Sequence, residues 1–162
     1  MLWTRLLLTP LAVLGAAVPG HALYGSRSLW ATVDVCNPKD KPGTVGVRGS
    51  MPWDGQKGDT IFMRFRLQYE EAKSKTWVNV AKNADSGFEQ VHRAGTGASQ
   101  AGIDFEVAVP KAVVFTLRGM VSFQWRRGAK VVYAATRTTT TGHESLAGAD
   151  PKGFSAASCT IA

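Results

Sequence analysis

The chain has few of the side chains that most often carry chemistry. Its 162 residues include only two cysteines, Cys36 and Cys159, and three histidines. A zinc site needs three or four convergent Cys, His or carboxylate ligands, and neither cysteine has a C-x-x-C partner or a neighbouring histidine. We therefore predict no metal site and no cofactor.

Recognised catalytic motifs are also missing. No Gly-x-Ser-x-Gly segment is present, and the glycine-containing run 95–98 lacks the Lys-Ser/Thr of a phosphate-binding loop. His143, Glu144 and Ser145 place an imidazole, a carboxylate and a hydroxyl close in sequence, but their spacing matches no established triad. We predict that the protein is not an enzyme. A small secreted hydrolase or an enzyme inhibitor remains an alternative, resting on these three residues and on a flexible loop predicted at 95–102.

Two pairs of carboxylates are weaker candidates for a site. Asp104 and Glu106 share one side of a predicted strand and would need a third oxygen donor to bind calcium. Glu70 and Glu71 are adjacent in a predicted turn and point to different sides, whereas glycoside hydrolysis needs carboxyls that face each other across a cleft. His92 lies at a predicted strand edge or loop. We expect none of these residues to be catalytic.

Acidic residues are in the minority across the chain. There are 12 Asp and Glu against 19 Lys and Arg, which gives a formal net charge of +7. Hydrophobic residues make up 44% and charged residues 19% of the sequence. This composition is ordinary for a globular protein and excludes wholesale disorder, a collagen repeat and a coiled coil. The length suits a single domain.

Long apolar runs are confined to the first 22 residues, which have the pattern of a secretory signal peptide. Arg5 provides the positive charge, 6–18 form the apolar stretch, and small residues at positions 20 and 22 precede a cleavage site before Leu23. An uncleaved signal anchor is the alternative. We expect a secreted, extracellular protein without a transmembrane segment after cleavage, with a short lead at 23–28 and one β-domain over 29–162.

Export also bears on the two cysteines. In an exported protein an even, minimal number of cysteines is typical of disulfide pairing. We predict one disulfide between Cys36 and Cys159, joining the first strand of the domain to the last.

The apolar residues recur with a period of two almost everywhere, and no amphipathic helix of convincing length is present. This pattern predicts an all-β fold, a single antiparallel β-sandwich of about seven to nine strands, with a barrel as the alternative. The predicted strands cover 29–36, 44–51, 59–69, 77–80, a short segment near 88–91, 103–109, 113–126, 130–140 and 154–161.

Two of these segments carry a resemblance to known folds. Residues 64–69, a turn and residues 77–80 resemble the central hairpin of fibronectin type III and immunoglobulin-like modules, and 121–126 resemble their penultimate strands. The layout is also similar to short exported β-sandwich proteins of high-GC Gram-positive bacteria, which have no assigned activity. The terminal position of Cys36 and Cys159 departs from the immunoglobulin pattern, in which the disulfide joins two facing core strands. The resemblance bears on the fold and supplies no function.

A basic sheet face follows from strand parity together with this resemblance. With Met63 and Phe123 facing the core, alternate residues of their strands face outward, and a fibronectin-like sandwich places the two strands side by side with 130–140 next to them. The predicted ligand-binding residues of this face are Phe62, Arg64, Arg66, Arg118, Arg126, Tyr133 and Arg137.

The leading functional prediction is a secreted, non-catalytic module for binding or adhesion at the cell surface through this basic face. Guanidinium groups bind carboxylates and phosphates, so the expected partner is an anionic surface polysaccharide or another surface protein. Because the protein is expected to be exported, we predict no physiological nucleic-acid partner. The alternative is a structural or assembly subunit that pairs through the exposed, low-charge edge strand at 131–141. The sequence does not predict an oligomeric state.

Overall fold

Two antiparallel β-sheets make up the described part of the chain. The computed structural model describes residues 20–92, 97–108, 113–144 and 147–162. These contain one short helix, α1 (Gly20–Tyr24), and nine strands, which confirms the predicted all-β fold. The strands are β1 (Trp30–Cys36), β2 (Thr44–Met51), β3 (Asp59–Glu70), β4 (Trp77–Asn79), β5 (Glu89–Val91), β6 (Ser99–Glu106), β7 (Phe115–Arg127), β8 (Lys130–Thr138) and β9 (Cys159–Ile161).

The smaller sheet has the order β1-β2-β6, and the larger has β4-β3-β7-β8 with β5 added to β3 and β9 to β7. The long pair β3–β7 forms the centre of the larger sheet and runs in unbroken register from Asp59 opposite Arg127 to Tyr69 opposite Leu117. Along β3, buried and half-buried residues alternate. This alternation is what a strand shows when one of its faces packs on a core and the other does not.

The core lies between the two sheets. Val33, Val45 and Val47 of the smaller sheet and Met63 and Phe123 of the larger are fully buried. Each such side chain contributes about 1.5–3 kcal/mol by leaving water. Gly119 allows the sheets to approach closely, because a Cβ at this position would lie 2.5 Å from the Cγ1 of Val47.

The predicted disulfide between Cys36 and Cys159 is formed. It joins the end of β1 to β9, and its two Cα atoms are 5.5 Å apart across 123 residues of sequence. The bridge therefore links the smaller sheet to the larger one. Closing so long a loop stabilises a fold by about 4–5 kcal/mol on the chain-entropy model.

The predicted flexible loop at 95–102 is wrong for its second half, because Ser99 to Gly102 form the first half of β6. These small residues pair with β2, where Ala101 lies opposite Gly49 and Gly102 opposite Arg48. The backbone pairing, rather than side-chain pattern, defines this part of the strand. Residues 93–96 lie outside the described residues.

The lead segment before β1 packs onto the domain. Leu23 is buried in the main core cluster, and the guanidinium of Arg137 lies 4.0 Å from the ring centroid of Tyr24. Most of the predicted signal peptide, residues 1–19, lies outside the described residues. Within the described ranges, no helix has the length and apolar character to cross a membrane.

Candidate functional site

Four of the predicted arginines lie on the outer face of the larger sheet. In the β3–β7 register Arg64 is opposite Ser122, Arg66 is opposite Met120, and Gln68 is opposite Arg118. Directly opposed residues of an antiparallel pair share one face of the sheet, and the alternate residues Met63 and Phe123 are buried on the other. We use the term outer face for the following residues of β3 and β7: Phe62, Arg64, Arg66, Gln68, Arg118, Met120, Ser122, Gln124 and Arg126.

The placement of Arg137 and Tyr133 on this face is wrong. Tyr133 lies opposite Trp125 and Arg137 opposite Val121, two residues that face the core. A β-bulge is the physical reason. Arg126 of β7 pairs with Val131 of β8, but the adjacent Trp125 pairs with Tyr133. Val132 is therefore an extra residue in β8. One extra residue moves every later side chain of β8 to the other face.

Arg126 lies close to two aromatic rings at one end of the outer face. Its guanidinium carbon lies 4.0 Å from the ring centroid of Phe62 and 5.2 Å from that of Phe88. Its Nε donates a hydrogen bond to Oε1 of Gln124 at 2.8 Å. These contacts orient the guanidinium without cancelling its charge.

Arg118 occupies the opposite end of the outer face in a similar environment. Its guanidinium carbon is 4.2 Å from the ring centroid of Trp77, and its Nε donates to Oε1 of Gln68 at 2.9 Å. Gln68 in turn donates from Nε2 to Oδ1 of Asn79 at 3.0 Å. Burial lowers the pKa of Arg118 from its ordinary value, although the group stays protonated at physiological pH.

Arg66 lies between these two ends. Its Nη2 donates to Oγ of Ser122 at 3.1 Å, and Ser122 is 3.3 Å from Oγ1 of Thr136. Its Nε is buried and has no hydrogen-bond partner among the described residues. The hydrogen bond that the described structure gives this guanidinium is therefore to a neutral hydroxyl.

Arg64 differs because it is paired with a carboxylate. Its Nε donates to Oδ1 of Asp85 at 2.7 Å and its Nη2 donates to Oδ2 of the same side chain. This forked contact, assisted by the Gly87 N–H and by the nearby charge of Arg66, lowers the pKa of Asp85 to about 2 against an opposing effect of burial. Arg64 consequently adds little net charge to the face.

The remaining arginines of the outer face lack such a partner. Within the described ranges the ion pairs join Arg48 to Asp34, Arg64 to Asp85, Lys75 to Glu70 and Arg127 to Asp59. Arg66, Arg118 and Arg126 are not among them. The outer face therefore presents three guanidinium groups that are stacked or hydrogen-bonded to neutral groups and not neutralised by an ion pair.

His143, the first of the adjacent residues His143, Glu144 and Ser145, is engaged in an aromatic stack. The imidazole of His143 stacks on Trp30 with ring centroids 4.0 Å apart and 14° between the planes. Ser145 lies outside the described residues. The pKa of His143 is lowered by burial, with a smaller opposing effect of Glu144. The arrangement we observe is a stacked ring pair at the start of β1.

The other polar candidates are dispersed. His92 and Glu106 are exposed, and Asp104 lies beside Asp34, since both carboxylates would be 2.8 Å from a Cβ at Gly46. No group of three or more His, Cys, Asp or Glu side chains that could hold a metal ion occurs in the part of the chain that the structure describes. These residues do not form a common site.

Sequence analysis missed three residues of the site, Trp77, Phe88 and Asp85. Trp77 reaches Arg118 because β4 pairs with the end of β3, where Trp77 lies opposite Glu70. Phe88 and Asp85 come from the connection between β4 and β5. Both depend on where that connection crosses the sheet, and no local sequence signal gives this position.

Comparison of the chain with protein-family models, curated proteins and solved structures found no match. A function for the outer face is therefore argued from its geometry and charge alone.

Proposed function

We propose that the protein is a secreted, non-catalytic module that binds an anionic ligand through the outer face. The observation that carries the proposal is the set of three guanidinium groups, on Arg66, Arg118 and Arg126, that have no ion-pair partner in the described structure. Arginine combines a permanent charge with donors that fork onto carboxylate or phosphate. A sheet face that fixes three such groups in stacks and neutral hydrogen bonds is suited to an anionic partner.

The spacing favours an extended ligand. Arg126 and Arg118 lie at opposite ends of β7 on the same face. Their Cα atoms are about 27 Å apart, because an antiparallel strand rises about 3.4 Å per residue over the eight residue steps between them. A small anion spans no more than one of these positions. An anionic surface polysaccharide fits this separation, and an acidic segment of another surface protein is the second possibility. Met120, opposite Arg66 on the same face, offers an apolar contact between the two ends.

Secretion of the protein is part of the same proposal. The predicted signal peptide and the disulfide between Cys36 and Cys159 support secretion into an oxidising environment. We include in the proposal a distant kinship to fibronectin type III or immunoglobulin-like modules, which is supported by the two antiparallel sheets and by the sequence resemblance of β3, β4 and β7.

The test is salt-dependent retention of the oxidised protein on an immobilised acidic polysaccharide. We expect retention to be lost when Arg66, Arg118 and Arg126 are all replaced by Glu. The matched control replaces the exposed residues Lys39, Lys41 and Lys152 by Glu, which makes the same change in net charge away from the outer face. Equal loss in both variants would mean that only overall charge matters, and retention of the arginine variant would refute the site.

A second candidate function, an assembly subunit, is supported by the exposed edge strand β8. β8 is at the end of the strand order of the larger sheet, and Val131 and Val132 are 42% and 39% exposed. Between Lys130 and Arg137 this edge strand carries no charge, and an exposed edge of this kind is a template for pairing with another chain. If the protein is an assembly subunit, its sedimentation coefficient rises with concentration and the Val132→Lys substitution prevents the rise.

A further inference from the structure

The centre of the outer face already holds a carboxylate from the chain itself. Asp85 accepts both hydrogen bonds of the Arg64 fork, and Arg66 lies close enough to lower the pKa of Asp85 further. The contact is the geometry with which arginine recognises a planar group carrying two oxygens. Asp85 therefore shows which anion the middle of the face accommodates.

The backbone around Asp85 is fixed to the sheet. Asp85 forms an isolated antiparallel bridge with Arg66, and the neighbouring Ser86 accepts a hydrogen bond from the Phe65 N–H at 2.9 Å. Ala84, on the other side, is buried in the core. The carboxylate is thus delivered to Arg64 by a connection that contacts other than the ion pair also hold to the sheet.

The ion pair itself is accessible to solvent. The side chains of Arg64 and Asp85 are 35% and 40% exposed. An exposed pair of this kind contributes about 0.2–1 kcal/mol, so an external anion can compete for the arginine without unfolding the sheet.

We propose that Arg64 and Arg66 form a carboxylate subsite of the outer face and that Asp85 is its internal competitor, which the carboxylate of a uronic acid-type polysaccharide displaces. This inference rests on the proposed function and specifies the ligand class. Ligand binding then transfers the Arg64 fork from Asp85 to a ligand carboxylate, and Asp85 turns to solvent.

The experiment compares Asp85→Asn with wild type for binding to polygalacturonate. Asn keeps an Oδ1 that accepts the Gly87 N–H, so the local turn is preserved while the charge is removed. We expect binding to tighten about two- to fivefold, the factor that corresponds to an exposed ion pair. Asp40→Asn, an exposed change of the same charge in the turn before β2, is the control and is expected to have a smaller effect.

Binding to dextran sulfate, a polymer with sulfate in place of carboxylate groups, tests whether the subsite prefers carboxylate. A tetrahedral sulfate can also accept the arginine fork with two of its oxygens, but its third free oxygen lies outside the plane that the Asp85 carboxylate occupies, so we expect a smaller gain for Asp85→Asn on this polymer. An equal gain on both polymers would overturn the assignment of a carboxylate subsite, and equal binding of the Asp85→Asn and Asp40→Asn variants would overturn the role of Asp85.

Failure of the inference is distinguishable from failure of the proposed function. If the triple arginine variant loses binding while Asp85→Asn matches its control, the outer face binds and Asp85 does not compete. A measurement on the wild-type protein covers the case in which the variant fails to fold. Saturation with polygalacturonate should shift the NMR signals of the Arg64 Nε–H and the Asp85 carboxyl group, and unchanged signals would refute displacement.

Discussion

The guanidinium carbon of Arg118 lies 4.2 Å from the ring centroid of Trp77. The stack orders a long, flexible side chain while leaving its charge in place, because an aromatic face attracts a cation without neutralising it. Arg126 over Phe62 repeats this relationship at the other end of the outer face, at 4.0 Å. The two stacks keep guanidinium groups fixed at both ends of β7.

Replacement of Trp77 by Ala tests whether this order matters for binding. We expect the affinity for an acidic polysaccharide to fall about two- to fivefold, in line with a cation–π contact at a partly exposed site. The free energy of unfolding should change little, since β4 is a short strand at the margin of the sheet. Trp30→Phe is the control, because Trp30 stacks on His143 away from the outer face. Undiminished binding by Trp77→Ala would show that the stack does not position Arg118.

A buried pair of carboxyl groups gives a prediction about pH. The pKa of Asp54 is raised, first by burial and then by its contact with Asp59, whereas the Arg127 guanidinium lowers the pKa of Asp59. Because its folded-state pKa is raised, Asp54 contributes stability at low pH that is lost as the pH rises through this pKa. The ionised Asp54 is therefore unfavourable at neutral pH.

Asp54→Asn should remove this cost. Asn retains an Oδ1 for the Gln56 N–H and gains an amide that donates to Asp59. We expect the free energy of unfolding at pH 7 to increase by about 0.5–1 kcal/mol, within the usual range for charge optimisation. Urea denaturation should show the difference from wild type shrinking as the pH falls through the raised pKa of Asp54. A destabilised variant at pH 7 would contradict the conclusion that ionised Asp54 is unfavourable in the folded state.

The central part of the fold was predictable because its pattern is simple. β3 and β7 each pack one face on the core, so alternation along residues such as Met63 and Phe123 gives both the strands and their orientation. The disulfide was predictable because only two cysteines exist. β1 was harder, since Thr32 and Asp34 are buried on the face that alternation would leave to solvent. Thr32 is covered by Ser155, whose Oγ is 2.8 Å from its Oγ1.

The site was predictable only where side chains alternate between the two faces of a strand without a bulge. Arg64, Arg66, Arg118 and Arg126 share a face because β3 and β7 pair without interruption. Arg137 does not join them because Val132 is an extra residue, and a bulge of this kind is set by the pairing of backbone groups that the side-chain pattern does not report. The partner of Arg64, Asp85, arrives from a connection whose path depends on tertiary packing.

The stack of His143 on Trp30 gives a prediction that fluorescence can check. Burial lowers the pKa of His143, so the folded state favours the neutral imidazole, and the stability this group contributes at neutral pH is lost as the pH falls through the lowered pKa. A protonated imidazole quenches indole emission on contact. We expect a step in tryptophan fluorescence with a midpoint below the ordinary histidine value of 6.5. Trp30→Phe and His143→Gln should each abolish the step, and a midpoint above 6.5 would contradict the prediction.

The close approach of the two sheets at Gly119 gives the sharpest test of the fold. A Cβ at this position would lie 2.5 Å from Cγ1 of Val47 and 2.7 Å from Cγ2 of Thr139. Both neighbours are held in buried positions, so Gly119→Ala should overpack the core and lower the free energy of unfolding by about 1–3 kcal/mol. Gly58→Ala is the matched control, because nothing lies within 4 Å of its Cβ position. Urea denaturation of the two variants should separate them clearly, and equal stability would mean that the sheets are further apart than the structure places them.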